Sequence, residues 1–304
     1  MELKHVIYEK ESFKEGAVAK ITLNRPETLN AMDVEVTEDI LRALTQAEDD
    51  DDVKAVILKG AGRAFSTGYD LSRVYYVYGG GTGKPEEKKR RPSQRSRLKY
   101  DRWRSETLRR IFTCPKVTIA QVHGYCIGGG LYTVLCCDLA VAAANAMIGH
   151  SEQRLVFAGA MYVLPIEIML IGQKKARELL LTGNLIDGNE AERIGLVNKA
   201  VPEDKLEEET LRMAQAITLM PRDGLAIGKS IAMVAYDTLG LTSSFNQGLL
   251  GHTMATNIRF EEDEFNFLKM RRDLGVREAI KARDKRYEGL IQGTPSKGSK
   301  GGNL

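Results

Sequence analysis

The chain has few cysteines, and none of them is spaced like a metal site or a redox motif. There are four among 304 residues, at positions 114, 126, 136 and 137, and each lies in or beside an apolar run. No Cys-x-x-Cys pair occurs, so a zinc ribbon or a thioredoxin-like centre is excluded. We expect four reduced thiols, as is usual in intracellular proteins.

Long uninterrupted apolar runs are also missing. The most apolar stretch, residues 117–149, contains five glycines together with His123 and Asp138. This composition argues against a membrane span and favours buried strands and a buried helix. The first sixteen residues carry charges from the start and lack the apolar core of a signal peptide. We therefore expect a cytoplasmic protein that does not enter a membrane.

Neither sign of charge predominates over the whole chain. The sequence has 44 basic and 41 acidic residues, a net charge of +3, which does not by itself indicate a nucleic-acid partner. The charge is unevenly spread, because residues 84–110 hold 12 Lys or Arg and 4 Asp or Glu, a local charge of +8. Hydrophobic residues make up 43%, enough to build a core and to exclude general disorder.

Three common catalytic motifs are absent. The glycine cluster at residues 79–84 ends in Gly-Lys, but Tyr78 and Pro85 stand where a phosphate-binding P-loop needs Gly and Ser or Thr. No Gly-x-Ser-x-Gly elbow occurs, and the four histidines show no metal-ligand spacing. We interpret His123 and His150 as structural and expect no metal site.

The hydrophobic pattern predicts strands and helices in alternation, followed by a helical region. This order is typical of an α/β core. The length allows one large or two ordinary domains. The predicted strands lie at residues 5–8, 18–23, 53–59, 116–122 and 138–143, and the helices at 33–49, 95–112, 131–137, 164–173, 174–181, 189–194, 203–219, 223–238, 241–268 and 275–287.

Two glycine-bearing turns carry the functional signal. Residues 65–70 (FSTGYD) follow one predicted strand, and residues 124–130 (GYCIGGG) follow another and open a helix. Glycine lets a backbone N–H approach a ligand closely, and the N–H groups at a helix start have no intrahelical partner. Two such donors aimed at one oxygen would form an oxyanion hole. On this pattern alone, a purely structural strand–turn–helix is an equal alternative.

These turns resemble the crotonase (enoyl-CoA hydratase/isomerase) superfamily. The similarity begins at Asn24-Arg25-Pro26 and Asn30-Ala31-Met32 and continues through residues 181–183 (LTG), 194–198 (IGLVN) and 201–202 (VP). It is weaker in the C-terminal third. The resemblance implies an α/β fold, a ClpP-like spiral of repeated ββα units. It also implies an acyl-CoA-binding core at residues 1–210 and a helical trimerisation region at 211–290. The Gly/Ser/Lys-rich composition of the C-terminus predicts a disordered tail at 291–304.

The resemblance also implies which residues act. The N–H groups of Tyr69 and Gly129 would bind the thioester oxygen, Glu152 would be the general acid/base, and Tyr132 a polar or water-positioning partner. An enzyme that stabilises a thioester enolate in this way would need no metal or redox cofactor, because coenzyme A (CoA) arrives as part of the substrate. A homotrimer or a dimer of trimers is expected, and the basic residues Arg283, Lys285 and Arg286 would contact CoA of an adjacent subunit. The expected substrate and CoA contacts are Arg25, Glu27, Ala31, Ala64, Ser66, Gly68, Asp70, Tyr75, Tyr76 and Gly128.

The chain departs from the family at the first of the two glutamates that its hydratases use. Tyr132 stands there, and tyrosine, with an ordinary pKa of about 10, is a poor base but a good hydrogen-bond donor. Glu152 matches the second glutamate, and one carboxylate suffices for double-bond isomerisation. Members with a single carboxylate include isomerases and the feruloyl-CoA hydratase-lyase type. Residues 153–160 also differ from the Gly/Pro-rich segment usual in the family.

Several alternatives stay open at this level. The enzyme would be a hydratase or isomerase, or else an acyl-CoA hydrolase or a C–C bond-cleaving hydratase-lyase. A non-catalytic CoA- or RNA-binding protein is the third hypothesis, although we do not expect nucleic acid as the partner. The basic helix at 95–110 would either contact CoA phosphates or present a solvated charged face. The second interpretation is favoured. Tyr75, Tyr76 and Tyr78 would line the acyl pocket or pack on a neighbouring subunit.

Overall fold

A six-stranded sheet lies at the centre of the structure. The computed structural model describes residues 3–72, 93–155, 162–255 and 260–291. The first two strands form an antiparallel hairpin, and every other neighbouring pair in this sheet is parallel. The strands, in their order across the sheet, are β1 (Val6–Phe13), β2 (Gly16–Leu23), β3 (Val53–Gly60), β5 (Val117–Val122), β7 (Leu139–Ala143) and β10 (Lys199–Val201).

A second, smaller sheet is formed by short strands, three of which come directly after strands of the first sheet. It consists of β4 (Ala64–Ser66), β6 (Tyr125–Ile127), β8 (Met147–Gly149) and β9 (Leu185–Ile186). The first three of these directly follow strands β3, β5 and β7, so the chain repeats a strand–strand unit three times. Because β4 and β6 pair in parallel, the two glycine-bearing turns at their ends lie side by side.

Ten helices surround the sheets in the described part of the chain. Helix α1 begins where Asp33 accepts a hydrogen bond from Val36 N–H through Oδ1 at 3.0 Å, as an N-cap does. The helices are α1 (Val34–Glu48), α2 (Gln94–Phe112), α3 (Gly129–Cys136), α4 (Leu164–Thr182), α5 (Gly188–Arg193), α6 (Leu206–Thr218), α7 (Arg222–Thr238), α8 (Leu241–Ala255), α9 (Phe267–Leu274) and α10 (Val276–Lys285).

Helices cover both faces of the large sheet, which explains why its strands read as continuous apolar runs. On one face Ile21 and Leu58 pack in one cluster with Ile40 of α1. On the other, residues of β2, β3 and β5 pack against Ala214 and Ile217 of α6. Central strands such as VKAVILK therefore carry apolar residues at successive positions.

Helix α6 belongs to this core. Lys54 of β3 is 6% exposed, and its Nζ donates to the carbonyls of Thr218 and Met220, at 2.6 Å in each case, where α6 ends. The domain boundary predicted at 210–211 falls inside this helix, which continues to Thr218.

Other differences from the sequence prediction are local. Strand β1 extends to Phe13, because its register with β2 continues through residues whose charged side chains had suggested a turn. The helix predicted at 241–268 ends at Ala255 in the described residues, and a second helix begins at Phe267. All four cysteines are free thiols, as expected. Within the described residues no helix is long and apolar enough to cross a membrane, and residues 292–304, predicted to be disordered, lie outside them.

Candidate active site

The first turn is held from beneath by two buried polar side chains. Asn30, 1% exposed, donates through Nδ2 to the carbonyls of Ala61 at 2.8 Å and Ala64 at 2.7 Å. The Ser66 hydroxyl donates to the Asn30 carbonyl at 2.8 Å and accepts from Gly68 N–H at 3.0 Å. These bonds fix the path of the backbone through residues 61–68, so the next amide has a defined direction.

That next amide is Tyr69 N–H. Met32 N–H donates to the Gly68 carbonyl at 2.7 Å, and Asp70 N–H donates to the Met32 carbonyl at 2.9 Å. These two hydrogen bonds use the backbone groups on either side of Tyr69. Because successive N–H and C=O groups of an extended backbone alternate in direction, the Tyr69 N–H points away from Met32. No carbonyl of the described residues accepts a bond from it.

The second turn presents a matching donor. Gly129 is the first residue of α3, so its N–H has no partner inside the helix, and no described carbonyl outside it accepts the bond. The two turns are in contact, because a Cβ placed on Gly68 would lie 2.8 Å from Gly129 N and 2.6 Å from Ile127 O. Gly68 has a φ of +86°, which also favours glycine.

Each glycine of the triplet 128–130 makes room for a different neighbour. A Cβ on Gly128 would lie 2.8 Å from Glu152 Oε1, and one on Gly130 would lie 2.6 Å from the Ser66 carbonyl. A Cβ on Gly129 would lie 3.0 Å from the Tyr69 ring. The triplet therefore packs the start of α3 against the first turn on one side and against the Glu152 carboxylate on the other.

Glu152 and Tyr132 are direct partners. Tyr132 of α3 is 1% exposed, and its hydroxyl donates a short hydrogen bond to Glu152 Oε1. Burial and the neighbouring Glu152 carboxylate raise the pKa of Tyr132 well above its ordinary value, so the hydroxyl stays protonated. The other carboxylate oxygen, Glu152 Oε2, has no hydrogen-bond partner among the described residues. It is a buried acceptor without a partner in the described part of the chain, close to Gly128 at the start of α3.

A second pair lies behind Glu152. His150 Nε2 is 2.9 Å from Glu167 Oε2, and the two side chains are 1% and 0% exposed. His150 Nδ1 lies 4.0 Å from Glu152 Oε1. Burial disfavours the charged imidazole, but the carboxylates of Glu167 and Glu152 outweigh it and raise the pKa of His150 to about 10. This pair was not predicted from the sequence, because Glu167 lies 17 residues further along, on α4, and nothing in a helical pattern marks it as inward-facing.

Helix α2 brings charge into the interior. Arg104 is 3% exposed, and its guanidinium carbon lies 3.6 Å from the centroid of the Tyr69 ring. Asp101 and Arg97, on the same helix, are also buried. The favoured interpretation, that this helix presents a solvated charged face, is therefore wrong for the side that carries these three residues. Burial raises the pKa of Tyr69, although the Arg104 charge opposes the shift.

A cavity of about 520 Å³ leads to Tyr69. It is lined on one side by residues predicted to contact the substrate, Arg25, Glu27, Ala31 and Asp70. On the other side α10 of the same chain contributes Arg283, which we had expected to reach an adjacent subunit.

The remaining predicted contacts lie elsewhere. Ala64 and Ser66 are fully buried below the cavity and do not line it. Gly68 and Gly128 are buried in the turns. Tyr75 and Tyr76 lie outside the described residues.

Comparisons with known proteins agree with this architecture. The sequence model of the family "Enoyl-CoA hydratase/isomerase" matches residues 13–269. A Thermus thermophilus protein named "Putative enoyl-CoA hydratase" is 34% identical over 239 residues, 79% of this chain and 89% of that protein.

Solved structures are similar over nearly the whole chain. An enoyl-CoA hydratase/isomerase from Xanthobacter autotrophicus Py2 has 31% identity and a TM-score of 0.81, covering 95% of this chain and 100% of that one. An enoyl-CoA hydratase from Mycobacterium smegmatis has 28% identity and a TM-score of 0.79, covering 94% of each chain. This protein therefore has the crotonase fold and belongs, as an enzyme, to the enoyl-CoA hydratase/isomerase family.

Proposed function

We propose that this enzyme moves the double bond of an enoyl-CoA thioester by shifting a proton between C2 and C4, with Glu152 as its single acid/base carboxylate. One observation carries the proposal. The Glu152 carboxylate packs against Gly128, the residue before the Gly129 amide, and its hydrogen-bond partner there is the Tyr132 hydroxyl. A base thus lies against the turn that carries an amide donor without a backbone partner.

The chemistry requires both parts. When a proton leaves C2, electron density moves through the conjugated system onto the thioester oxygen. Amide donors fixed at that oxygen stabilise the dienolate more than the ground state, and this difference accelerates the reaction. Glu152 accepts the C2 proton and returns it to C4, so the carboxylate is regenerated and no other reactant is consumed. We assign the two donors to Tyr69 N–H and Gly129 N–H.

Tyr132 acts as a fixed donor in this scheme. Its raised pKa keeps it neutral, so it orients and stabilises the Glu152 carboxylate without competing for the proton. Hydratases of the family use a second glutamate at this position. A phenol there leaves one group able to take a proton near neutral pH, which favours isomerisation over hydration.

The CoA part fits the cavity that ends at Tyr69. Arg25, Arg154 and Arg283 of its lining are the candidate partners for the phosphates of CoA, and they lie beside the acidic Glu27, Asp70 and Asp284 of the same lining. Arg25 is itself held by Asp33, 3.1 Å away, and faces Asp70 at 3.8 Å, so its position is defined before a ligand binds. The reaction draws on no resident metal or redox cofactor, and a cytoplasmic location stays a prediction.

The test is to offer the purified enzyme a 3-enoyl-CoA and, separately, crotonyl-CoA. We expect the first to be converted to the conjugated 2-enoyl-CoA and the second to be hydrated slowly or not at all. Glu152→Gln should lower the isomerisation rate about 10²- to 10⁴-fold, the usual contribution of a general acid/base. Hydration of crotonyl-CoA without isomerisation of the 3-enoyl-CoA would show that the enzyme is a hydratase. Release of free CoA would show that it is a hydrolase.

We further propose a homotrimer or a dimer of trimers whose contacts include α7. Ile227, Ile231 and Val234 are 59%, 65% and 66% exposed, on consecutive turns of one face of that helix. An exposed apolar stripe of this kind marks an association surface. Light scattering should give three or six chains for the wild type and a smaller particle for Ile231→Asp. A monomeric wild type would contradict this assembly.

A further inference from the structure

A buried carboxylate that serves no obvious structural purpose lies behind the proposed base. Glu167 of α4 is 0% exposed, and its Oε1 has no hydrogen-bond partner among the described residues. Burying an ionised carboxylate is strongly unfavourable unless a positive or hydrogen-bonding partner compensates. The partner is His150, whose Nε2 lies 2.9 Å from Glu167 Oε2.

The other side of the imidazole faces the proposed site. His150 Nδ1 lies 4.0 Å from Glu152 Oε1, beyond hydrogen-bond length, and has no bond of its own among the described residues. The groups that face the ring are Glu167 from α4, Glu152 from the turn after β8, and Tyr132 from α3, whose ring centroid is 5.8 Å away. Two of the three are carboxylates, and the third is a neutral donor.

The order of these groups suggests a function for the pair. A protonated imidazole between two carboxylates cancels one charge and attracts the other, and at 4.0 Å from Oε1 this attraction helps to hold the Glu152 carboxylate in place. The Tyr132 hydroxyl supports the same oxygen, Glu152 Oε1, from another direction. Both interactions leave Oε2 as the atom that takes the proton.

We propose that His150 and Glu167 form a positioning pair for Glu152. Glu167 fixes the imidazole and keeps it protonated, and the imidazolium holds the Glu152 carboxylate from its Oε1 side, so that Oε2 is the oxygen left to take the proton. Neither residue touches the reacting atoms. This inference rests on the proposed function of Glu152 as the proton acceptor.

The first test reads the imidazole directly and does not depend on turnover. Nitrogen-15 NMR of the histidine-labelled wild-type enzyme distinguishes a cationic from a neutral ring, and replacing the other three histidines one at a time assigns His150. We expect a cationic His150 from pH 6 to 8. A neutral ring in this range would overturn the proposal, whichever reaction the enzyme catalyses.

The second test measures the pH profile of kcat/KM. Glu167→Gln keeps the shape of the side chain but removes its charge, so the pKa of His150 falls and the imidazole becomes neutral at a lower pH. The alkaline limb of kcat/KM, where the imidazolium is lost, should move from about pH 10 toward neutral pH, with the rate on its acidic side retained within about tenfold. The matched control is Glu178→Gln, a solvent-facing acid of the same helix paired with Lys175, and its profile should equal that of the wild type.

The outcomes separate the two proposals. A Glu167→Gln profile that falls uniformly with an unmoved alkaline limb would show a structural role only and contradict the positioning pair. Full activity of Glu152→Gln would instead refute the proposed function, while the NMR state of His150 would still report on the pair. If Glu167→Gln does not fold, the wild-type NMR measurement decides alone.

Discussion

Replacing Gly128 by alanine tests the position of the Glu152 carboxylate. The new Cβ would lie 2.8 Å from Glu152 Oε1 and 2.9 Å from its carboxyl carbon, where 3.4–4 Å is ordinary contact. The carboxylate ends a flexible side chain, so it can retreat by about half an ångström or more while the fold is kept. A misplacement of about 1 Å costs on the order of 10²-fold in rate. We therefore expect isomerisation of a 3-enoyl-CoA to fall about 10- to 100-fold.

The same substitution also strains the backbone. Gly128 has φ of +54° and ψ of −116°, a conformation that L-residues rarely adopt, and such strain costs about 1–3 kcal/mol. Gly172→Ala is the matched control, because Gly172 has φ of +75° and ψ of 156° but no neighbour within 4 Å of the new Cβ. Both variants should lose similar stability in urea unfolding, and only Gly128→Ala should lose activity. A Gly128→Ala enzyme with the wild-type rate would refute the placement of the base.

Three further predictions concern stability. Ser66→Ala removes a buried hydroxyl that bonds Asn30 O and Gly68 N, so the free energy of unfolding in urea should fall by about 1–3 kcal/mol; an unchanged value would contradict the support assigned to Ser66. Lys54→Met leaves the last carbonyls of α6 without their donor and should cost about 1–3 kcal/mol, whereas Lys59→Met, which removes the surface pair with Glu207, should cost less than about 1 kcal/mol. The pKa of His150 is raised to about 10 from 6.5, so the stability it contributes is complete below pH 6.5 and is lost as the pH rises toward 10. The double variant His150→Gln/Glu167→Gln should lose less stability than the wild type between these pH values, and equal losses would contradict a charged pair.

The fold was largely predictable because its signals are local. The apolar run VKAVILK and the period of α1 each reflect one element and its cover, so β3 and α1 were predicted within a residue or two. Short strands were not predictable in the same way. Strand β6 has three residues and exists because β4 and β8 lie on either side of it, which no local pattern shows.

The candidate site was predictable only where its residues lie in motifs. The glycine turns, Tyr132 and Glu152 stand in short segments that resemble a family, and the structure brings Tyr132 and Glu152 together. Glu167 and Arg104 lie on helices, where a charged residue is normally taken as solvent-facing. Their burial depends on what packs against α4 and α2, and this information is distributed over distant parts of the chain.

The central claim is that two backbone amides hold the thioester oxygen beside Glu152. A crystal structure of the Glu152→Gln variant with a bound enoyl-CoA tests it most directly. We predict that the thioester oxygen lies about 2.7–3.1 Å from both Tyr69 N and Gly129 N, with C2 facing residue 152. A thioester oxygen bound elsewhere, with these two amides unoccupied, would contradict the account.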